Sequence, residues 1–227
     1  MLEFGLKAPT LVAKQMKSTL KKILNGLATL IVLVPFLGYQ LGRLVLGASK
    51  AFPGWSQAFS LFPGLTGATL RRAFYQLVLP RCGNDCCISF GSVFSHPTAE
   101  VGDRVFIGLY CCLGDVTLED DVLLGSQVSI INGGGQHGIA RLDIPIREQP
   151  GVWTRVTVGK DSWIGERAVV LADVGKHCVI AAGAVVARPI PDYAIAGGVP
   201  ARVIRFRNAE SLEREPEMSA FGEVVRD

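Results

Sequence analysis

Histidine is nearly absent from this chain, with three in 227 residues. His96, His137 and His177 stand about 40 residues apart, which excludes a metal site that needs two histidines close in sequence. Charge is also sparse, at 19% of residues. A net charge of +3, with no basic stripe interleaved with aromatics, excludes a nucleic-acid binder. Six cysteines occur without zinc-finger spacing, the nearest being Cys82, Cys86 and Cys87 and then Cys111 and Cys112, so no structural metal is expected. Free thiols then point to a reducing compartment. From Ile23 to Gly42 there is no charge for 20 residues.

The long stretch from Val101 to Val186 has neither a helical period of 3.6 nor a simple alternation of two. An aliphatic residue returns instead every sixth position: 101, 107, 113, then 118, 124, 130, then 158, 164, 170, and finally 174, 180, 186. One more coil begins at Cys82, Ile88 and Phe94. Each hexad is one short strand and one corner of a three-sided solenoid. The position slips after every third hexad, which confines length variation to one corner of the coil. Glycine usually follows the aliphatic residue, as at Gly102, Gly108, Gly125, Gly159, Gly165 and Gly175. Four residues after the aliphatic comes something small or Val: Val105, Cys111, Thr117, Val122, Val128, Ser162, Ala168, Cys178, Ala184. These are expected to face inward, where small groups let the narrow prism turn. Cys82, Cys86, Cys111 and Cys178 fall on inward or small positions, so packing accounts for them.

The hydrophobic share, 49%, is concentrated before this repeat. Residues 1–22 carry Lys7, Lys14, Lys17, Lys21 and Lys22 against Glu3, and the charge-free run from Ile23 is long enough to cross a hydrocarbon core. The basic region and the apolar run both exceed those of a signal peptide, and no small-x-small cleavage site follows, so cleavage is rejected. Pro35 lies mid-run, where a proline costs about 3 kcal/mol unless a kink absorbs it. Arg43, Lys50, Arg71 and Arg72 make the far flank basic as well, against a single pass. A bent helix that dips into the membrane and returns on the same face fits both facts. A single span and a buried core helix are the alternatives. From Ala51 to Pro80, short amphipathic helices are expected to join at Phe52-Pro-Gly-Trp55 and Phe62-Pro-Gly-Leu65. Trp55, Phe59, Phe62, Phe74 and Tyr75 beside Arg71 and Arg72 suit a headgroup layer, or cap the open end of the solenoid.

The beat breaks from residue 131 to 155. This loop reads Asn132-Gly-Gly-Gly-Gln136-His137-Gly and runs on to Trp153. It is longer than any connection needs, and a histidine after three glycines makes it the functional candidate. His96, before Pro97 at a corner, and His177, at a solvent-facing hexad position, read as structural.

The hexads, the looped His137, Val158-Gly-Lys-Asp-Ser-Trp-Ile-Gly165 and the closing Pro191-Asp-Tyr-Ala-Ile-Ala-Gly-Gly-Val-Pro-Ala-Arg202-Val-Ile-Arg205 resemble the hexapeptide-repeat acyltransferases. The galactoside and maltose O-acetyltransferases and the acetyltransferases of polysaccharide biosynthesis are the nearest in pattern, over about residues 82–207. The resemblance implies a left-handed parallel β-helix, an exception to the right-handed crossover rule, and a homotrimer with its sites between subunits. It implies acetyl-CoA as co-substrate, no metal, and His137 as general base, since imidazole titrates near neutrality. By motif, Glu166, Ala182, Ala187 and Arg188 would line the CoA arm, and Arg202 and Arg205 would meet the nucleotide phosphates. Ala187 stands where the family often has a threonine. Asp115, with Asn132 and Gln136 of the loop, would bind the acceptor.

Three parts are therefore expected: a membrane-associated hydrophobic helical region at 1–80, the β-helix at 81–207 with its active-site loop at 131–155, and a polar tail at 208–227. The expected activity is O-acetylation of a sugar hydroxyl on a cell-surface polysaccharide or lipid-linked glycan precursor, at the cytoplasmic face of the inner membrane. The alternatives are N-acylation of an amino sugar, a non-catalytic β-helix scaffold, and a γ-class carbonic anhydrase. The last would need its three histidines to converge.

Overall fold

The computed structural model describes residues 11–207; Lys7 and the tail expected at 208–227 lie outside the described residues. Three helices precede the coils: α1 (Leu11–Leu46), α2 (Ala48–Ser60) and α3 (Gly64–Val78). Then β1 (Arg81–Cys82), β2 (Cys87–Ile88) and β3 (Val93–Phe94) form a first coil. β4 (Glu100–Val101), β5 (Phe106–Ile107) and β6 (Cys112–Leu113) form a second, and β7 (Val116–Leu118), β8 (Leu123–Leu124) and β9 (Ser129–Ile130) a third. After the loop, β10 (Val156–Val158), β11 (Trp163–Ile164) and β12 (Val169–Val170) resume the winding. Val174, β13 (Val179–Ile180) and β14 (Val185–Val186) follow, and β15 (Ala194–Gly198) with β16 (Ala201–Phe206) ends the solenoid as an antiparallel hairpin.

The strands stack into three parallel sheets, and their register is the hexad register read from the sequence. The first sheet runs β1-β4-β7-β10 and continues through single bridges at Val174 and Ile190. The second aligns Ile88, Ile107, Leu124, Ile164, Ile180 and Ala196, and the third aligns Phe94, Leu113, Ile130, Val170 and Val186. All of these side chains are buried. Each aliphatic one contributes roughly 1.5–3 kcal/mol by leaving water.

The glycine after each aliphatic residue has a reason different from the one expected. It does not make the turn: the left-handed backbone sits two residues later, on non-glycine residues such as Arg104, Tyr110, Asp121, Gln127, Asp161, Arg167 and His177. The glycine lets the neighbouring coil pass. A Cβ on Gly125 would stand 2.7 Å from the Glu166 backbone nitrogen, and one on Gly165 would stand 2.4 Å from that of Ala182. Thr117 corrects the inward series: Val116 is buried in its place and Thr117 is half exposed, because the five-residue step at that corner shifts the facing by one.

The helical region departs further from expectation. α1 continues unbroken through Pro35, and the chain turns at Gly47 (φ 82°), so the return limb is α2 rather than the second half of the apolar run. Pro53 lies inside α2; of the two Pro-Gly turns expected, Pro63-Gly64 alone separates helices. Phe59, Phe74 and Tyr75 are buried with Phe52 and Phe94, with Phe59 and Phe74 stacked at 4.3 Å. They cap the end of the solenoid and do not face a headgroup layer. Arg71 is buried too, because the end of α2 presents carbonyls that need a donor. It reaches Phe59 O (3.2 Å), Ser60 O (3.4 Å), Phe62 O (2.6 Å) and Ile88 O (2.7 Å), joining helix to coil. Burial pulls its guanidinium below its ordinary pKa. The stretch from Lys22 to Leu46 is long and apolar enough to cross a membrane, and its Leu41, Leu44 and Val45 stand exposed.

Candidate functional site

One edge of the prism, between the third and first sheets, collects most of the polar chemistry. Two residues past the last aliphatic of successive coils stand His96, Asp115, Asn132, Ala172 and Arg188, and the hydrogen-bonded stack of Phe94, Leu113, Ile130, Val170 and Val186 puts them in one column. This is the corner where the hexad spacing slips. Extra residues there leave the ladders intact, so the long loop can emerge without breaking a sheet.

The loop is fixed at its root by buried Asn132. Its Oδ1 accepts the Asp115 N–H (3.1 Å), and its Nδ2 donates to Asp115 O (3.0 Å) and Thr154 O (3.2 Å). A Cβ on Gly114 would lie 2.3 Å from that Oδ1, so the glycine admits the amide. The two limbs then pair: Val152 N–H donates to Gly135 O (2.7 Å) and Thr154 N–H to Asn132 O (3.2 Å). Gly151 lets them close, since a Cβ there would stand 2.0 Å from Gln136 O. At the tip, buried Gln149 ties Arg141 O (2.7 Å), Ile144 O (3.3 Å) and Arg141 N–H (3.0 Å) around a turn of 3-10 helix at Ile146–Glu148. On the returning limb, Arg155 reaches Glu100 (2.9 Å), Asp115 (3.0 Å) and Thr98 O (2.8 Å). Partial burial lowers the Arg155 pKa, but the Asp115 and Glu100 carboxylates outweigh it and hold the guanidinium above its ordinary value.

Within this frame His137 is exposed, its ring set edge-on to Trp153 with centroids 6.3 Å apart. His96 lies 6.0 Å from the same indole, its Nδ1 against Ser95 Oγ at 2.9 Å. From sequence, His96 reads as structural and Trp153 carries no assigned role. The column of corner residues was the available signal for His96, since it stands above Asp115 in register. Asp115 is engaged by Arg155 and by the Thr98 hydroxyl (2.8 Å), Asn132 by backbone, and Gln136 by Gly133 O (3.4 Å).

Glu166 and Ala182 meet at the corner between the second and third sheets, where Gly183 N–H donates to Glu166 O (2.8 Å). Ala187 and Arg188 are exposed on the other side of the third sheet, in the His137 edge. Arg202 and Arg205 are exposed on β16, opposite Gly197 and Ile195. The face between the two corners carries the outward Val93, Cys112, Ser129, Val169 and Val185. His177 is remote from all of this. It stacks on Tyr193 at 5.1 Å and bonds Asp161 at 2.8 Å, on the corner between the first and second sheets. The three histidines do not converge, and among the described residues no group of three or more His, Cys, Asp or Glu could hold a metal ion.

Residues 99–130 and 155–188 match the family model described as the hexapeptide repeat of succinyl-transferase. The matched coils are hexapeptide repeats. The match stops at residue 130 and resumes at 155, so the hexapeptide model itself leaves out the His137 loop. Among curated relatives, a protein named "Probable acetyltransferase" from Mycobacterium tuberculosis is 31% identical over 55% of this chain and 44% of its own. The galactoside O-acetyltransferase of Escherichia coli is 36% identical over 41% of this chain and 45% of its own. The chain thus spans about half the length of these relatives. Among solved structures, the acetyl-coenzyme A complex of a hexapeptide-repeat-containing acetyltransferase from Vibrio cholerae covers 71% of this chain and 88% of that one, with a TM-score of 0.58 at 24% identity. That likeness is one of fold, and the left-handed parallel β-helix implied by the resemblance is the fold of this domain.

Proposed function

We propose that this hexapeptide-repeat protein is an acetyl-CoA-dependent O-acetyltransferase acting on a sugar hydroxyl of a cell-surface polysaccharide or lipid-linked glycan precursor. The observation that carries the reading is the exposed His137 on a loop pinned at root and tip by buried Asn132 and Gln149 and along its limbs by backbone hydrogen bonds. Such a loop holds an imidazole in place while leaving it open to a substrate. His137 takes the proton of the acceptor hydroxyl as that oxygen attacks the thioester carbonyl of acetyl-CoA. Backbone N–H groups of the coils stabilise the oxyanion. Collapse expels the CoA sulfur, which takes the proton back from the imidazolium, so no acyl-enzyme forms. General-base catalysis of this kind contributes about 10²- to 10⁴-fold.

For the donor, the short side chains facing out of the third sheet leave a lane between Glu166 and Ala182 on one side and Ala187 and Arg188 on the other. The pantetheine arm lies in that lane, with Arg202 and Arg205 on the phosphates. A homotrimer suits the exposed apolar row of Phe106, Leu123 and Trp163 on the second sheet, a surface fit to be covered by another copy. Exposed Leu41, Leu44 and Val45 of α1, with Arg43 and Lys50 beside them, suit attachment to the cytoplasmic face of an anionic membrane.

The test is detergent-purified full chain with labelled acetyl-CoA and a panel of polyprenyl-linked sugars, nucleotide sugars and simple glycosides. The expected product carries label in a hydroxylamine-labile ester. Label found only in a hydroxylamine-stable amide would assign N-acylation instead, and label transfer unaffected by His137→Ala would overturn the catalytic assignment.

A further inference from the structure

Trp153 is left unexplained by the packing of its own loop. Its backbone neighbours on both sides are bonded, Val152 to Gly135 and Thr154 to Asn132, and the loop is closed by Asn132, Gln149 and Arg155 without it. The indole stands 56% exposed between two imidazoles. Leaving so large an aromatic surface in water forgoes the stabilisation that burial would give, and its ring partners are the two imidazoles. Among the described residues no hydrogen bond engages its Nε1–H. A flat apolar face, a free donor at its rim and a base alongside make a surface that suits a pyranose: the ring's axial C–H face lies on the indole, and its hydroxyls reach outward.

We infer that Trp153 is the acceptor platform, a sugar ring stacking on its indole beside His137 with His96 closing the far side. This rests on the acyl-transfer reading above. His96 Nδ1 is taken by Ser95 Oγ, which turns Nε2 to a sugar hydroxyl. The platform also has a tie outside the loop. His96 stands two residues after Phe94, whose N–H donates to Ser56 Oγ (2.9 Å) and whose ring packs on Tyr75 at 5.0 Å. The apolar helical unit therefore anchors the segment on which the acceptor would sit. Trp153 and His96 set which hydroxyl compound is used; they do not take part in proton transfer.

Two measurements on the full-length protein in detergent test this. In steady-state transfer to a glycoside, Trp153→Ala is expected to raise the acceptor KM about tenfold or more, with kcat and the acetyl-CoA KM held within about twofold. Trp153→Phe, which keeps a flat ring, is expected to recover most of that loss, and His96→Ala to give a smaller rise. Should Trp153→Ala melt below the assay temperature, Trp153→Leu takes its place with the same expectation. An acceptor KM that stays within about twofold, or an acetyl-CoA KM that rises equally, overturns the inference. The second measurement is saturation-transfer NMR with methyl glycosides and no acetyl-CoA. Sugar ring protons are expected to saturate with the wild type and not with Trp153→Ala. If the wild type transfers acetyl to no acceptor, the acyl-transfer reading fails by itself and this binding arm alone decides the platform. Loss of saturation in the variant upholds it; equal saturation, or none with the wild type, overturns it.

Discussion

The coils and the loop order the same chain by opposite means. In the coils, each aliphatic residue repeats the one above, so Ile107, Leu124, Ile164 and Ile180 share the work of one apolar column. In the loop nothing repeats. Its shape hangs on Asn132, Gln149 and Arg155, each placed once and each bonded to backbone at two or more points or to a pair of carboxylates. Repetition gives a stiff prism with no single indispensable contact. Singular polar ties give a shape the repeat could never supply, with a side chain aimed into solvent. The proposed base sits on the second kind of structure, while the proposed donor lane uses the outer face of the first.

Substitutions separate the two kinds. The largest effect is expected in a column: Ile164→Ala should cost about 2–5 kcal/mol of unfolding free energy in denaturant titration, by lost burial plus a cavity. A pH scan reads the cap where the helices meet the first coil. Burial pushes the Tyr75 hydroxyl up to about 12, although its hydrogen bond with Ser56 (2.8 Å) works the other way. Its folded pKa lies above the ordinary value near 10, so the folded state holds this proton more tightly. The corresponding stability is complete below pH about 10 and is lost as pH rises toward 12, amounting to about 3 kcal/mol. Tyr75→Phe should flatten that alkaline decline.

Asn132→Ala comes next. It strips three hydrogen bonds from a buried position, and should cost about 1–3 kcal/mol. In hydrogen exchange the loss should appear first at the amides of Val152 and Thr154, with the column amides of β11 and β13 unchanged. If the column amides loosen equally, the loop is not the separate unit argued for here. Arg155→Met should be smallest, under about 1 kcal/mol, because its ion pairs are about a third exposed and water screens them.

The coils were legible because a periodic constraint writes itself into every sixth residue. Register, strand position and inward face followed from spacing alone, apart from Thr117, where a five-residue step changed the facing. His137 was legible as a histidine where the beat fails. His96 could be placed at the corner above Asp115, but its meeting with Trp153 could not, since it depends on a loop folding back across coils, which no local pattern encodes. The helical unit was the least legible. Arg71 reads as a surface cation until the carbonyls at the end of α2 are brought to it. Pro53 reads as a turn although six residues of helix precede or include it from Ala48. For Arg71 a tertiary contact overrode a local preference that was correctly read.

The central claim is that the loop imidazole removes the acceptor proton. Comparing wild type with His137→Ala, transfer rate and CoA affinity are to be measured on the same preparations, by labelled-acetyl turnover and by calorimetric titration with CoA. The expected result is a fall in turnover of about 100-fold or more with the CoA dissociation constant within about twofold. Turnover retained within about threefold, with the loop amides as protected as in the wild type, would contradict the account.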